Sequence, residues 1–156
     1  ANCSLRMVLQ LSKIDASGDL YIIKDYHRPL VKDTVNIMFN VGSGITSYAQ
    51  GVESTVKALL DKHEEQDRSV LKELVQDCYE HYKMIADEWF FQGRGLDLHY
   101  LDSRVCMKVI EEFTKDNQVV LTVHDSYIVK KELEENLRQS ITNQYQLIIG
   151  EKPILT

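Results

Sequence analysis

The chain has 156 residues, 44% of them apolar and 27% charged, with a net charge of −6. That length can bury one sizeable core, and the composition is that of an ordinary globular protein. No apolar run approaches the roughly 20 residues of a membrane helix, and the acidic balance argues against a surface built to coat nucleic acid.

Taken in chain order, the spacing of Leu5, Val8, Leu9 and Leu11 predicts a short amphipathic helix from Ser4 to Leu11. Residues 15–18 read as a turn. Arg28 and Pro29 open a second helix, proline being tolerated in a first turn, and it runs to about Asn40, where Val41, Gly42, Ser43 and Gly44 end it. A third helix is expected from Ile45 to Lys62. Val70, Leu71, Leu74, Val75, Cys78, Tyr82, Ile85, Ala86 and Trp89 form one stripe of a long helix from about Asp67 to Phe91. Residues 92–95 stop it, and a further helix turns Val105, Cys106, Val109, Ile110 and Phe113 inward.

The pattern then changes. Residues 118–123 and 127–129 are short, rich in β-branched side chains and separated by His124, Asp125 and Ser126, which predicts a β-hairpin over about 118–130. Residues 132–149 return to helical spacing through Leu133, Leu137, Ile141, Tyr145 and Ile148. The expected class is therefore α+β, mostly helical, with a small antiparallel sheet supplied partly by the hairpin and packed by long helices. Residues 1–156 read as a single domain or a fragment, because Ala1 is not an initiator methionine and the pattern begins midway. Cys3, Cys78 and Cys106 are odd in number and far apart, so they make neither a disulfide framework nor a zinc site. A reducing, cytoplasmic setting follows.

Three places can carry chemistry. Arg28, Lys32, Asn36 and Asn40 recur every four residues and form one polar stripe, with Val31, Val35 and Met38 facing away. The two cations suit phosphate oxygens and the two amides a sugar or base, although a solvated face pairing with nearby acids is the plainer account. His124 and Asp125 sit at a tight turn between strands expected to be buried. There a rigidly held carboxylate is a hard oxygen ligand for Mg²⁺ and the histidine could orient a substrate oxygen. The third is the loop and helix start over residues 95–103, where Asp102 or Ser103 is expected to cap the helix that follows, a place near a site being the alternative for Asp102.

These pieces, in this order, resemble the polymerase core shared by family A DNA polymerases and single-subunit phage-type RNA polymerases. Arg28 and Lys32 are similar to the fingers helix called motif B. His124-Asp125-Ser126-Tyr127 is similar to motif C of the palm, closer to the RNA polymerase form than to the His-Asp-Glu of the DNA enzymes. Residues 101–110 resemble the helix before motif C. Ala1-Asn2-Cys3-Ser4-Leu5-Arg6 resembles the tail of motif A, with Leu5 and Arg6 kept and Ser4 where the DNA polymerases have Glu. The motif's metal-binding Asp would fall two residues before Ala1. Asn40 and Val41 stand where the family has Tyr-Gly, with Phe39 one place earlier.

The resemblance implies a compact phage or mobile-element relative, with fingers-like helices at about 28–62 and palm-like segments at about 1–14 and 66–156. It implies template-directed nucleotidyl transfer with two Mg²⁺ (or Mn²⁺) ions held by Asp125 and the upstream Asp. In it Arg28, Lys32, Asn36 and Asn40 meet the nucleoside triphosphate, and His124 and Ser126 position the primer end. Ser4 and Arg6 are remnants of motif A. The implied partners are template and primer nucleic acid, nucleoside triphosphates, and other regions of the parent polypeptide or replication proteins, with no membrane. Lacking one carboxylate, residues 1–156 are expected to be inactive alone. The rival expectation is a polymerase-like module that has lost catalysis and serves in nucleic-acid binding or scaffolding.

Overall fold

The structure, a computed structural model, describes residues 4–156. It is mostly helical, with one two-stranded antiparallel sheet, in agreement with the α+β expectation. Backbone contacts divide it into two compact units, residues 4–97 and 98–156, with the boundary inside the first turn of one helix. No helix among the described residues is long and apolar enough to cross a membrane.

The first unit contains α1 (Ser4–Leu11), α2 (Arg28–Asn40), α3 (Tyr48–Lys62), α4 (Arg68–His81) and α5 (Lys83–Trp89). The inner faces follow from helical periodicity: Val31, Val35 and Met38 of α2 meet Leu59 of α3 and Leu71, Leu74 and Val75 of α4 in a core with essentially no solvent exposure. Helix α3 starts at Tyr48 rather than Ile45 because Ser47 caps it, accepting a hydrogen bond from the Gln50 amide at 3.3 Å. The Gln50 side chain reaches back to the Thr46 N–H at 2.8 Å, so the helix start is held from both sides.

The expected single helix over 67–91 is broken. Tyr82 leaves helical geometry at φ −107° and ψ 31°, which separates α4 from α5. Its hydroxyl donates to the carbonyl of Leu20, 62 residues away in sequence, and the ring is buried. A tertiary hydrogen bond therefore overrides a periodicity that continues unbroken through the sequence.

Helix α6 (Gly95–Lys115) begins a full two turns before the expected cap at Asp102 or Ser103. A β-carbon at Gly95 would lie 2.0 Å from the Asn40 side-chain oxygen, so only glycine lets the helix start against the end of α2. Asp97 in the first turn faces the positive end of the helix and pairs with Arg94 at 3.1 Å. Asp102 is thus an interior helix residue, not a cap, and the Ser103 hydroxyl bonds back to the Tyr100 carbonyl at 2.8 Å.

The second unit comprises the body of α6, strands β1 (Leu121–Val123) and β2 (Ser126–Ile128), a single 3-10 turn at Lys131–Leu133, and α7 (Glu134–Ile149) closed by left-handed Gly150 at φ 95°. Val109 and Phe113 of α6 and Leu137 of α7 form its small core, with Val120, Tyr127, Val129, Leu133 and Ile141 packed against them. Ser140 and Gln144 of α7 both donate to the Glu112 carboxylate, tying the two helices together.

Candidate functional site

The hairpin pairs Leu121 with Ile128, Thr122 with Tyr127 and Val123 with Ser126, so His124 and Asp125 are the two-residue connection at its tip. His124 has φ 52° while Asp125 is not among the positive-φ residues, the sign pattern of a type II′ turn, whose first position normally holds glycine. A histidine there carries backbone strain. That is a feature which clusters at functional positions without proving one.

The strands themselves are not buried, contrary to the sequence expectation. Tyr127 and Val129 turn inward with Val120, whereas Leu121, Val123 and Ile128 remain 56%, 52% and 53% exposed. The physical reason is the period of two: with two strands and one supporting layer, only one face of the hairpin finds a partner. Asp125 therefore projects from a thin, solvent-bathed hairpin anchored along its inner face. The anchor is Tyr127, which packs against the Val109, Phe113 and Leu137 core. Burial first, then Cys106 and Asp102, push the Tyr127 phenol well above its usual range.

His99, Asp102 and Cys106 fall at helical spacing on α6, and the charge of Asp125 reaches Asp102. Asp102 is exposed as a residue, yet neighbouring atoms strip part of the water from its carboxyl and raise its pKa. The Asp125 charge raises it further and His99 opposes. Two carboxylates thus share one neighbourhood, and Asp102 is the member that sequence reading assigned to a cap. Spacing alone held the signal: positions 99, 102 and 106 share a helix stripe once α6 is known to start at Gly95. No group of three or more His, Cys, Asp or Glu side chains gathers at metal-binding distance among the described residues.

The α2 stripe lies in the first unit. Arg28 pairs with Asp19 at 2.5 Å and its guanidinium lies 5.4 Å from the centre of the Tyr21 ring. The Arg28 hydrogen bond, followed by the Tyr21 amide, holds the Asp19 carboxyl below its ordinary range. Lys32 is exposed and makes no ion pair among the described residues. Asn36 is half-buried. The Asn40 amide donates to the Asn36 carbonyl at 2.8 Å and its oxygen abuts Gly95, so the last position of the stripe is engaged within the fold. Ser4 opens α1, and Arg6 is buried, donating to the carbonyls of Ala16 and Gly18 and so pinning the loop that follows α1. Ala1, Asn2 and Cys3, the remainder of the motif A resemblance, lie outside the described residues.

What the fold defines is an α+β chain, mostly helical, with an acidic hairpin tip on one unit and a cationic helix face on the other. No protein-family model, no curated protein and no solved structure matches it.

Proposed function

We propose that the chain is the palm-and-fingers core of a polymerase-like nucleotidyltransferase, DNA or RNA, which joins nucleotides on a nucleic-acid template in the intact protein. The observation that carries this reading is His124-Asp125 on a strained two-residue turn, beside Asp102 and anchored through Tyr127. The exposed Arg28 and Lys32 add to it, lying on a helix whose opposite face is fully buried and so holds them in fixed register.

The donor set suits a hard divalent cation: Mg²⁺ takes one or two carboxylates and completes its shell with water and substrate phosphate. Asp125 would hold Mg²⁺ or Mn²⁺. When bound, such ions supply the positive charge that offsets a triphosphate and acidifies a primer 3′-hydroxyl. The chain's own part is positional. Arg28 and Lys32 bind the triphosphate oxygens, Arg28 by exchanging Asp19 for phosphate, and they neutralise charge as the leaving group departs. His124 and Ser126, flanking the carboxylate on the turn, orient the primer end.

In the full-length protein, Asp125→Asn is expected to abolish Mg²⁺-dependent extension of a labelled primer, and an unchanged rate would remove Asp125 from the reaction. Residues 1–156 alone are expected to incorporate no nucleotide. The internal engagement of Asn40 favours a second reading, a polymerase-like module that has lost catalysis and binds or scaffolds nucleic acid in phage or mobile-element replication. Full-length protein that retains primer–template with no extension under any metal would decide for it.

A further inference from the structure

We propose that the cleft at the start of α3 binds a purine nucleotide, through stacking on Tyr48, base recognition by Gln76 and phosphate contact with Lys72. The cleft has a volume of about 700 Å³, opens to solvent on one side, and is lined by the loop after α2, the first turns of α3 and one face of α4. That volume is in the range of small-molecule sites. Neither Arg28 nor Lys32 lines it, so the inference stands or falls independently of nucleotidyl transfer.

Three features set the ligand class. The Tyr48 ring lines the cleft and is held by an edge-on contact with Tyr79, centroids 4.8 Å apart, and by Phe91 at 6.2 Å, while 43% of the residue stays exposed. A fixed aromatic wall open to solvent is a platform for a planar base. Lys72 and Gln76 stand one turn apart on α4, both line the cleft, and neither makes a hydrogen bond or ion pair among the described residues. A free carboxamide can bond two atoms of one adenine edge at once, donating to N7 and accepting from the N6 amino group, and a free ammonium suits a phosphate. The acid in the lining, Glu53, is already paired with Arg68 and leaves no bare carboxylate to repel an anion. Gln50 spends its oxygen on the Thr46 amide and hydroxyl at 2.8 and 2.9 Å, which braces the loop and leaves its NH₂ group available as a donor.

Calorimetric titration of the 156-residue chain tests this with adenosine 5′-monophosphate, adenosine, ribose 5-phosphate and a short oligodeoxyadenylate. One-to-one binding of the monophosphate is expected, with adenosine and ribose 5-phosphate each weaker. Lys72→Ala should weaken the monophosphate about tenfold and leave adenosine unchanged, the loss of one charge-assisted hydrogen bond. Gln76→Ala should weaken both. Both positions are exposed on α4, so the variants should keep the parent's circular dichroism and thermal midpoint. An oligodeoxyadenylate that displaces the monophosphate makes a single strand the source of the base, and one that does not makes it the free nucleotide. Absence of saturable binding, or folded Lys72→Ala and Gln76→Ala variants that bind the monophosphate as the parent does, would overturn the proposal.

Discussion

The two candidate faces are supported in opposite ways. Arg28 and Lys32 ride on α2, whose inner residues Val31, Val35 and Met38 are wholly buried among α3 and α4, so packing fixes where the cations point. His124 and Asp125 ride on three-residue strands with one exposed face, so turn chemistry and the Tyr127 anchor fix the carboxylate. A helix in a dense core tolerates little change in volume. A hairpin of this size is marginal without its supporting layer and tolerates little change in turn geometry. The cationic face is thus set by the stiff part of the chain, and the carboxylate by the compliant part.

The largest test of that contrast is Gly51→Ala in α3. In an exposed helix this change gains stability, by about 1 kcal/mol. Here the new methyl would lie 2.3 Å from the Phe91 ring, which is itself locked at φ 61° and hydrogen-bonded through its amide to Met38 at 2.8 Å. A destabilisation of about 1–3 kcal/mol is expected, read from urea midpoints. A gain would mean that the first unit is far softer than its packing implies.

His124→Gly probes the other region with the opposite sign. Glycine removes the cost of a left-handed backbone, about 1–2 kcal/mol, and gives back about 0.5–1 kcal/mol through the freer unfolded chain. A net gain of about 0.5–1 kcal/mol should appear as slower hydrogen exchange at the β1 and β2 amides. In the full-length protein the same variant should extend primers poorly, because the side chain assigned to the primer end is gone. Faster exchange would show that the imidazole, not the turn, holds the hairpin.

How much of this was legible in the sequence depends on the range of the force involved. The bounds of α2 follow from Pro29 and the four-residue spacing, both local, and they match the structure from Arg28 to Asn40. The break at Tyr82 does not, because its cause is a hydroxyl reaching Leu20 from another part of the chain. Gly95, a stop signal by composition, starts a helix because Asn40 needs the space of a missing side chain. Short β-branched runs either side of a turn located the hairpin, but Leu121, Val123 and Ile128 look the same in sequence whether or not a second layer covers them. The proximity of Asp102 to Asp125 combines two such non-local facts, the early start of α6 and the docking of the hairpin. Local sequence, which carries neither fact, favours a cap at Asp102.

The same proximity gives the two units opposite responses to pH, the smallest of the expected effects. Burial alone would raise the Asp33 carboxyl, but hydrogen bonds from Lys62 and His63, each at 2.9 Å, outweigh it and leave the pKa lowered. Its contribution is present above the ordinary carboxylate value and is lost as pH falls through the lowered one. Asp102 runs the other way. Partial loss of water, then the Asp125 charge, raise its pKa, so the native state keeps a proton that the unfolded chain has released. The second unit should therefore lose stability as pH rises from the ordinary carboxylate value through the raised one. Residue-resolved hydrogen exchange between about pH 3 and about pH 7 separates the two, after correction for intrinsic exchange rates. Relative to the parent, Asp102→Asn should flatten the decline at Val109 and Phe113 and leave Val31 and Val35 unchanged. Asp125→Asn should flatten it in part, because it removes one of the two causes. If Asp102→Asn leaves the slope at Phe113 intact, the two carboxylates do not feel each other, and Asp102 has no part at the hairpin tip.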